Sequence, residues 1–115
     1  MLARTINLRL KPNSVEELTR TMEKEILPWL RKEEGFQDEI TFIVPSGVGA
    51  VGISLWDLKE KRGAYDEEIY PKILKALSNV LKGPPTVQTY EVSNSTFHTI
   101  AERESVGEDK PFGPD

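Results

Sequence analysis

Apolar and polar positions alternate with period two from Leu2 to Leu10, with Ile6, Leu8 and Leu10 on one side and Ala3, Thr5, Asn7 and Arg9 on the other. This is the pattern of a strand, and it ends at Pro12. Ser14 followed three residues later by Glu17 reads as a capping box, and Val15, Leu18, Met22, Ile26 and Leu30 then recur at helical spacing. Pro28 lacks a backbone donor and crowds the preceding turn, so a kink or early stop is expected near Leu27, with Gly35 closing the helix. Alternation returns from Phe36 to Val44 and, after the turn residues Pro45, Ser46, Gly47 and Gly49, again from Ala50 to Asp57, which predicts a β-hairpin. Tyr65, Ile69, Ile73, Leu77 and Val80 form a second helical stripe, split at Pro71 and ended by Gly83, Pro84 and Pro85. Thr86 to Ser93 reads as the last long strand, and Phe97 to Ile100 as a short extra one.

The order β, α, β, β, α, β predicts an α+β, ferredoxin-like domain: a four-stranded antiparallel sheet with both helices on one face. Sorting by parity gives an apolar face (Ile6, Leu8, Ile40, Phe42, Val51, Ile53 among others) and a mixed one (Thr5, Asn7, Arg9, Ile43, Gly52, Ser54, Trp56, Tyr90, Val92). Two helices cover only one face, so the other is expected to meet a second subunit, and a homodimer through the sheet follows. Large branched residues pack well sheet to sheet, whereas Thr5, Gly52 and Ser54 beneath a helix leave unfilled volume. The mixed face is therefore expected under the helices, enclosing a pocket in which Arg9, Ser54 and Tyr90 bind substrate.

Composition narrows the field of partners. The 115 residues make one domain, and fifteen Lys and Arg against nineteen Asp and Glu leave a net charge of -4. A nucleic-acid backbone is not attracted by such a field, and the aromatic-on-strand-one pattern of RNA-binding βαββαβ domains is missing. No cysteine is available for a disulfide, a thiolate metal site or a nucleophile. Neither a long apolar run nor a secretory leader is evident, so a cytoplasmic protein without a membrane partner is expected. Five acids and two bases between Glu102 and Asp115 carry -3 of the charge among Gly and Pro, which marks 102–115 as an acidic flexible tail on a 1–101 domain. Asp66, Glu67 and Glu68 fan out by about 100 degrees each on a helix and do not converge on a metal ion.

Several positions together are similar to the antibiotic biosynthesis monooxygenase-like (ABM) domains of the dimeric α+β barrel superfamily. They are Asn7 in strand one, the run Leu27, Pro28, Trp29, Leu30 ahead of Glu34, Gly35 and Phe36, the strand end Ile53 to Asp57, and the Tyr65 helix. The resemblance covers residues 2 to 93. It implies a cofactor-independent monooxygenase acting on a small aromatic or quinone-like compound, with Asn7, Trp56 and Tyr65 as catalytic residues. In that role the Asn7 amide orients a substrate oxygen, the Trp56 indole N–H donates to developing negative charge, and Tyr65 hydrogen-bonds substrate or relays a proton. In the haem-degrading branch a histidine ten residues beyond the helix aromatic supplies the iron ligand; Lys75 stands there in this chain, so no haem or other cofactor is expected. His98, the sole imidazole, lies past the last long strand and reads as a surface residue. The competing reading is a non-catalytic ligand-binding or structural homodimer of the same fold.

Overall fold

A computed structural model of the chain describes residues 1–57 and 68–98. Four strands form one antiparallel sheet: β1 (Leu2–Arg9), β2 (Phe36–Ile43), β3 (Gly49–Trp56) and β4 (Thr86–Glu91), in the order β2-β3-β1-β4. Helical segments α1 (Val15–Thr21) and α2 (Leu27–Arg31) follow β1, and α3 (Tyr70–Ala76) precedes β4. This is the ferredoxin-like arrangement expected from the alternation. The stretch that carries Tyr65 and the first part of the second helical stripe, and the acidic 102–115 segment, lie outside the described residues.

Register decides what each strand side chain faces. Leu2, Arg4, Ile6 and Leu8 of β1 stand opposite Trp56, Ser54, Gly52 and Ala50 of β3. Glu39, Thr41 and Ile43 of β2 stand opposite Ser54, Gly52 and Ala50, while Val87 and Thr89 of β4 stand opposite Ile6 and Arg4. Because Leu2, Leu8, Ala50 and Trp56 are buried in one core with Leu18, Ile26, Leu30, Ile73 and Leu77, this is the face beneath the helices. The allocation of β1 and β4 expected from parity is thereby reversed: Ile6 and Leu8 lie under the helices, whereas Asn7, Arg9 and Tyr90 do not. Alternation defines two sides within a strand but carries no phase between strands, and Ile6 pairs with Gly52, not with an apolar residue of its own parity class. For β2 and β3 the expected allocation holds, with Ile43, Gly52, Ser54 and Trp56 inward.

The first helix is continuous from Val15 to Arg31 and changes pitch within. Between α1 and α2 a π-helical turn, Met22–Ile26, brings the Leu27 N–H onto the Met22 carbonyl. Pro28, in the first turn of α2, has no N–H to give and its ring crowds the carbonyl four residues back, so a widened turn just upstream accommodates it without ending the helix. The kink or early stop expected near Leu27 is thus a change of pitch. The helix ends at Arg31 with Lys32 as its C-cap, earlier than expected; Gly35, beyond it in the turn into β2, has φ of 90°, a conformation that favours glycine, and its carbonyl accepts the Asp57 N–H at 2.8 Å. The expected capping box does not form. Ser14 sits at the N-cap, buried, without a side-chain cap bond, and its hydroxyl reaches the Pro12 carbonyl at 3.5 Å instead.

Pro71 stands in the first turn of α3, where its missing donor costs nothing. Ile69, Ile73, Leu77 and Val80 deliver the apolar stripe to the core, and Lys72 places its ammonium 4.5 Å from the centre of the Trp29 ring, tying α3 to α2. The hairpin between β2 and β3 turns at Gly47, whose φ is 82° and whose N–H donates to Val44 at 2.7 Å. Past β4 the chain leaves the sheet. Phe97 and His98 are not in a strand: the Ser95 hydroxyl accepts both their N–H groups, and the His98 ring bonds the Asp38 carboxylate on β2.

Candidate functional site

The inner face carries a polar row running across the sheet at right angles to the strands. Glu39, Ser54, Arg4 and Thr89 are successive cross-strand partners on β2, β3, β1 and β4. On one side of this row stand Thr41, Gly52, Ile6 and Val87, and on the other Trp56 and Leu2. Above it, Met22 and Ile26 of the π turn, Leu30 of α2, Ile73 of α3 and Leu77 at its C-cap close a cavity of about 30 Å³. Burying polar side chains under an apolar roof is costly unless they have partners or a ligand to meet, so the row is the natural place to look for chemistry.

Each member is held by a specific contact. The Thr41 hydroxyl donates to Glu39 Oε2 at 2.7 Å. Burial raises the Glu39 carboxyl above the usual carboxylate range, and that hydrogen bond pulls it part of the way back. Arg4 donates from one guanidinium nitrogen to Thr89 Oγ1 at 3.2 Å. Tyr70, at the start of α3, has its phenol raised by burial, an effect opposed by the nearby positive charge of Arg4. Trp56 Nε1 donates to Ser54 Oγ at 2.8 Å, with both residues buried, and the Phe36 ring stands edge-on to the indole at 5.4 Å between centres. Gly52 keeps the floor open: a Cβ there would lie 3.1 Å from Ile6 Cγ2 and 3.4 Å from Glu39 Oε2.

Of the residues singled out in the sequence, Ser54 lines the cavity, and Trp56 stands behind it through the indole hydrogen bond. Asn7, Arg9 and Tyr90 are exposed on the opposite side of their strands, so the structure does not bring them together with Trp56. Tyr65 lies outside the described residues. Lys75 is exposed on α3, while its neighbours Ile73 and Leu77 face the cavity. Glu39, Thr41 and Arg4 were not legible as site residues from spacing. The usable signal was that Glu39 and Thr41 share parity with Ile43, the β2 residue correctly expected beneath the helices. Among the described residues no helix is long and apolar enough to cross a membrane, and no group of three or more His, Asp or Glu side chains is placed to hold a metal ion.

No protein-family model matches the sequence, and no curated protein matches it. Solved structures do. NE2512, a protein of unknown function from Nitrosomonas europaea, superposes with a TM-score of 0.68 at 18% identity, over 85% of this chain and 94% of its own. A monooxygenase of Streptomyces coelicolor from the gene ActVA-Orf6, solved with nanaomycin D, also gives 0.68, at 16% identity over 85% and 92%. An antibiotic biosynthesis monooxygenase gives 0.64, at 14% identity over 82% and 100%. At these identities the likeness is one of fold: the chain has the ferredoxin-like α+β fold of the antibiotic biosynthesis monooxygenases, as its sequence resemblance implies.

Proposed function

We propose that the protein binds a small phenolic or quinone-like compound between sheet and helices and acts on it as a cofactor-independent monooxygenase. The observation that carries this reading is the apolar-roofed cavity floored by the Glu39–Ser54–Arg4 row, in a fold shared with a monooxygenase solved with nanaomycin D. A phenol held as its anion among fixed donors passes an electron to dioxygen, and the phenol and dioxygen together give a quinone and water. Ser54 and Arg4 are the donors that meet the ligand, and Trp56 holds the Ser54 hydroxyl in place. The open sheet face supports a homodimer: Ile40 and Phe42 are each 53% exposed, beside Val51 and Ile53, and together they form an apolar patch on β2 and β3. Asn7, Arg9 and Tyr90 then border that interface.

A second reading, a non-catalytic dimer of the same fold, is favoured by the volume. About 30 Å³ holds about two waters and is well short of the roughly 150 Å³ that a benzene-binding cavity offers. An aromatic ligand therefore requires the flexible Met22 side chain to swing out of the π turn. Titration of a Trp29→Phe variant with phenols, followed by the fluorescence of Trp56 and by oxygen uptake, separates the two. Quenching with oxygen consumption supports the monooxygenase, and no response to any phenol supports the structural dimer.

A further inference from the structure

Glu39 and Arg4 are the two ionisable side chains among the described residues that line the cavity, and they stand in one cross-strand row with Ser54 between them. Two strand spacings separate their backbones, about 10 Å, with Ser54 on the strand between them. Gly52 leaves the space next to Glu39 Oε2 unfilled, and the Thr41 hydroxyl fixes that oxygen from the other direction.

We infer that Glu39 is the proton acceptor of this cavity, taking the hydroxyl proton of a bound phenol and leaving the phenol oxygen as an anion that Arg4 compensates. The step rests on the cavity being a ligand site, as proposed above. The O–H bond of the ligand breaks, a carboxyl O–H bond forms on Glu39, and the negative charge moves from the carboxylate to the ligand oxygen. No oxidant is consumed, and the net charge of the cavity is unchanged. Burial makes the carboxyl a stronger base than an exposed glutamate and brings it closer to the phenol it must deprotonate. Among the described residues Tyr70 also stands near Arg4 of the row; burial raises its phenol, which stays neutral and does not compete for the proton.

The test is titration of the full chain with para-nitrophenol, whose neutral and anionic forms absorb at separate wavelengths, at a pH where the free ligand is mostly neutral. The wild-type protein is expected to bind it with a gain in the anion band. Glu39→Gln, folded by circular dichroism, is expected to bind the neutral form, with the bound anion fraction down about tenfold. Thr41→Val keeps the carboxyl and removes the donor that stabilises its charge, so it is expected to raise the bound anion fraction. An undiminished anion band in Glu39→Gln, or a fall in Thr41→Val, overturns the role of Glu39 while leaving the cavity a ligand site. Absence of binding to the wild type overturns both.

Discussion

The Trp56 indole N–H donates to the Ser54 hydroxyl two residues earlier on the same strand, 2.8 Å away, and both residues are buried. The bond couples the aromatic end of β3 to the polar row that floors the cavity. Removing the hydroxyl leaves a buried donor with its desolvation uncompensated. Ser54→Ala is accordingly expected to lose about 1–3 kcal/mol of stability, and Ser54→Thr, which keeps an oxygen there, to lose less. Urea denaturation of the two variants measures the difference.

Gly52 is the position at which the cavity is most easily closed. A methyl group there meets Ile6 and Glu39 Oε2 within ordinary or tight contact distance. Gly52→Ala is expected to stay folded, and Gly52→Val to cost about 1–3 kcal/mol through overpacking. Both are expected to abolish phenol quenching of Trp56 fluorescence. Retained quenching in Gly52→Val would place the ligand elsewhere.

The half-buried Glu39 carboxyl also sets a pH dependence of stability. Its folded value is raised above that of the unfolded chain, so between the two values the folded state binds more protons. Its contribution is therefore most favourable at low pH and is lost as pH rises through the raised value. Glu39→Gln, which cannot ionise, is expected to melt at a higher temperature than the wild type at neutral pH and to show a flatter profile across the acid range. Thermal melts from pH 4 to pH 8, followed by circular dichroism, test the sign.

On the open face, Phe42 pairs with Val51 and is 53% exposed in the protomer. Placing a charge in the middle of an apolar interface leaves it buried and unpaired. Phe42→Asp is expected to halve the mass seen by light scattering while leaving the protomer folded. A wild-type protein that already runs as a monomer would remove the dimer.

Much of the architecture was legible along the chain because it rests on local periodicity. Ile6, Leu8 and Leu10 announce β1, Gly47 announces the hairpin turn, and Ile69, Ile73, Leu77 and Val80 announce the stripe that α3 continues. Ser54 and Trp56 were legible for the same reason, since alternation in β3 set them beside Gly52. Glu39 and Arg4 were not, because each is an ordinary charged residue in a strand until its cross-strand partners are known.

What the sequence by itself determined is the kind and order of the elements, and with them the α+β fold, because periods of two and 3.6 are written in consecutive residues. The tertiary structure alone decided how those strands are phased against one another. Pairing Ile6 with Gly52 and Arg4 with Ser54 turned Asn7 and Arg9 outward and gathered Glu39, Ser54 and Arg4 under the helices. Side-chain direction alternates at every residue, so a shift of one position in register exchanges the two faces of a strand. Only long-range hydrogen bonding sets that shift.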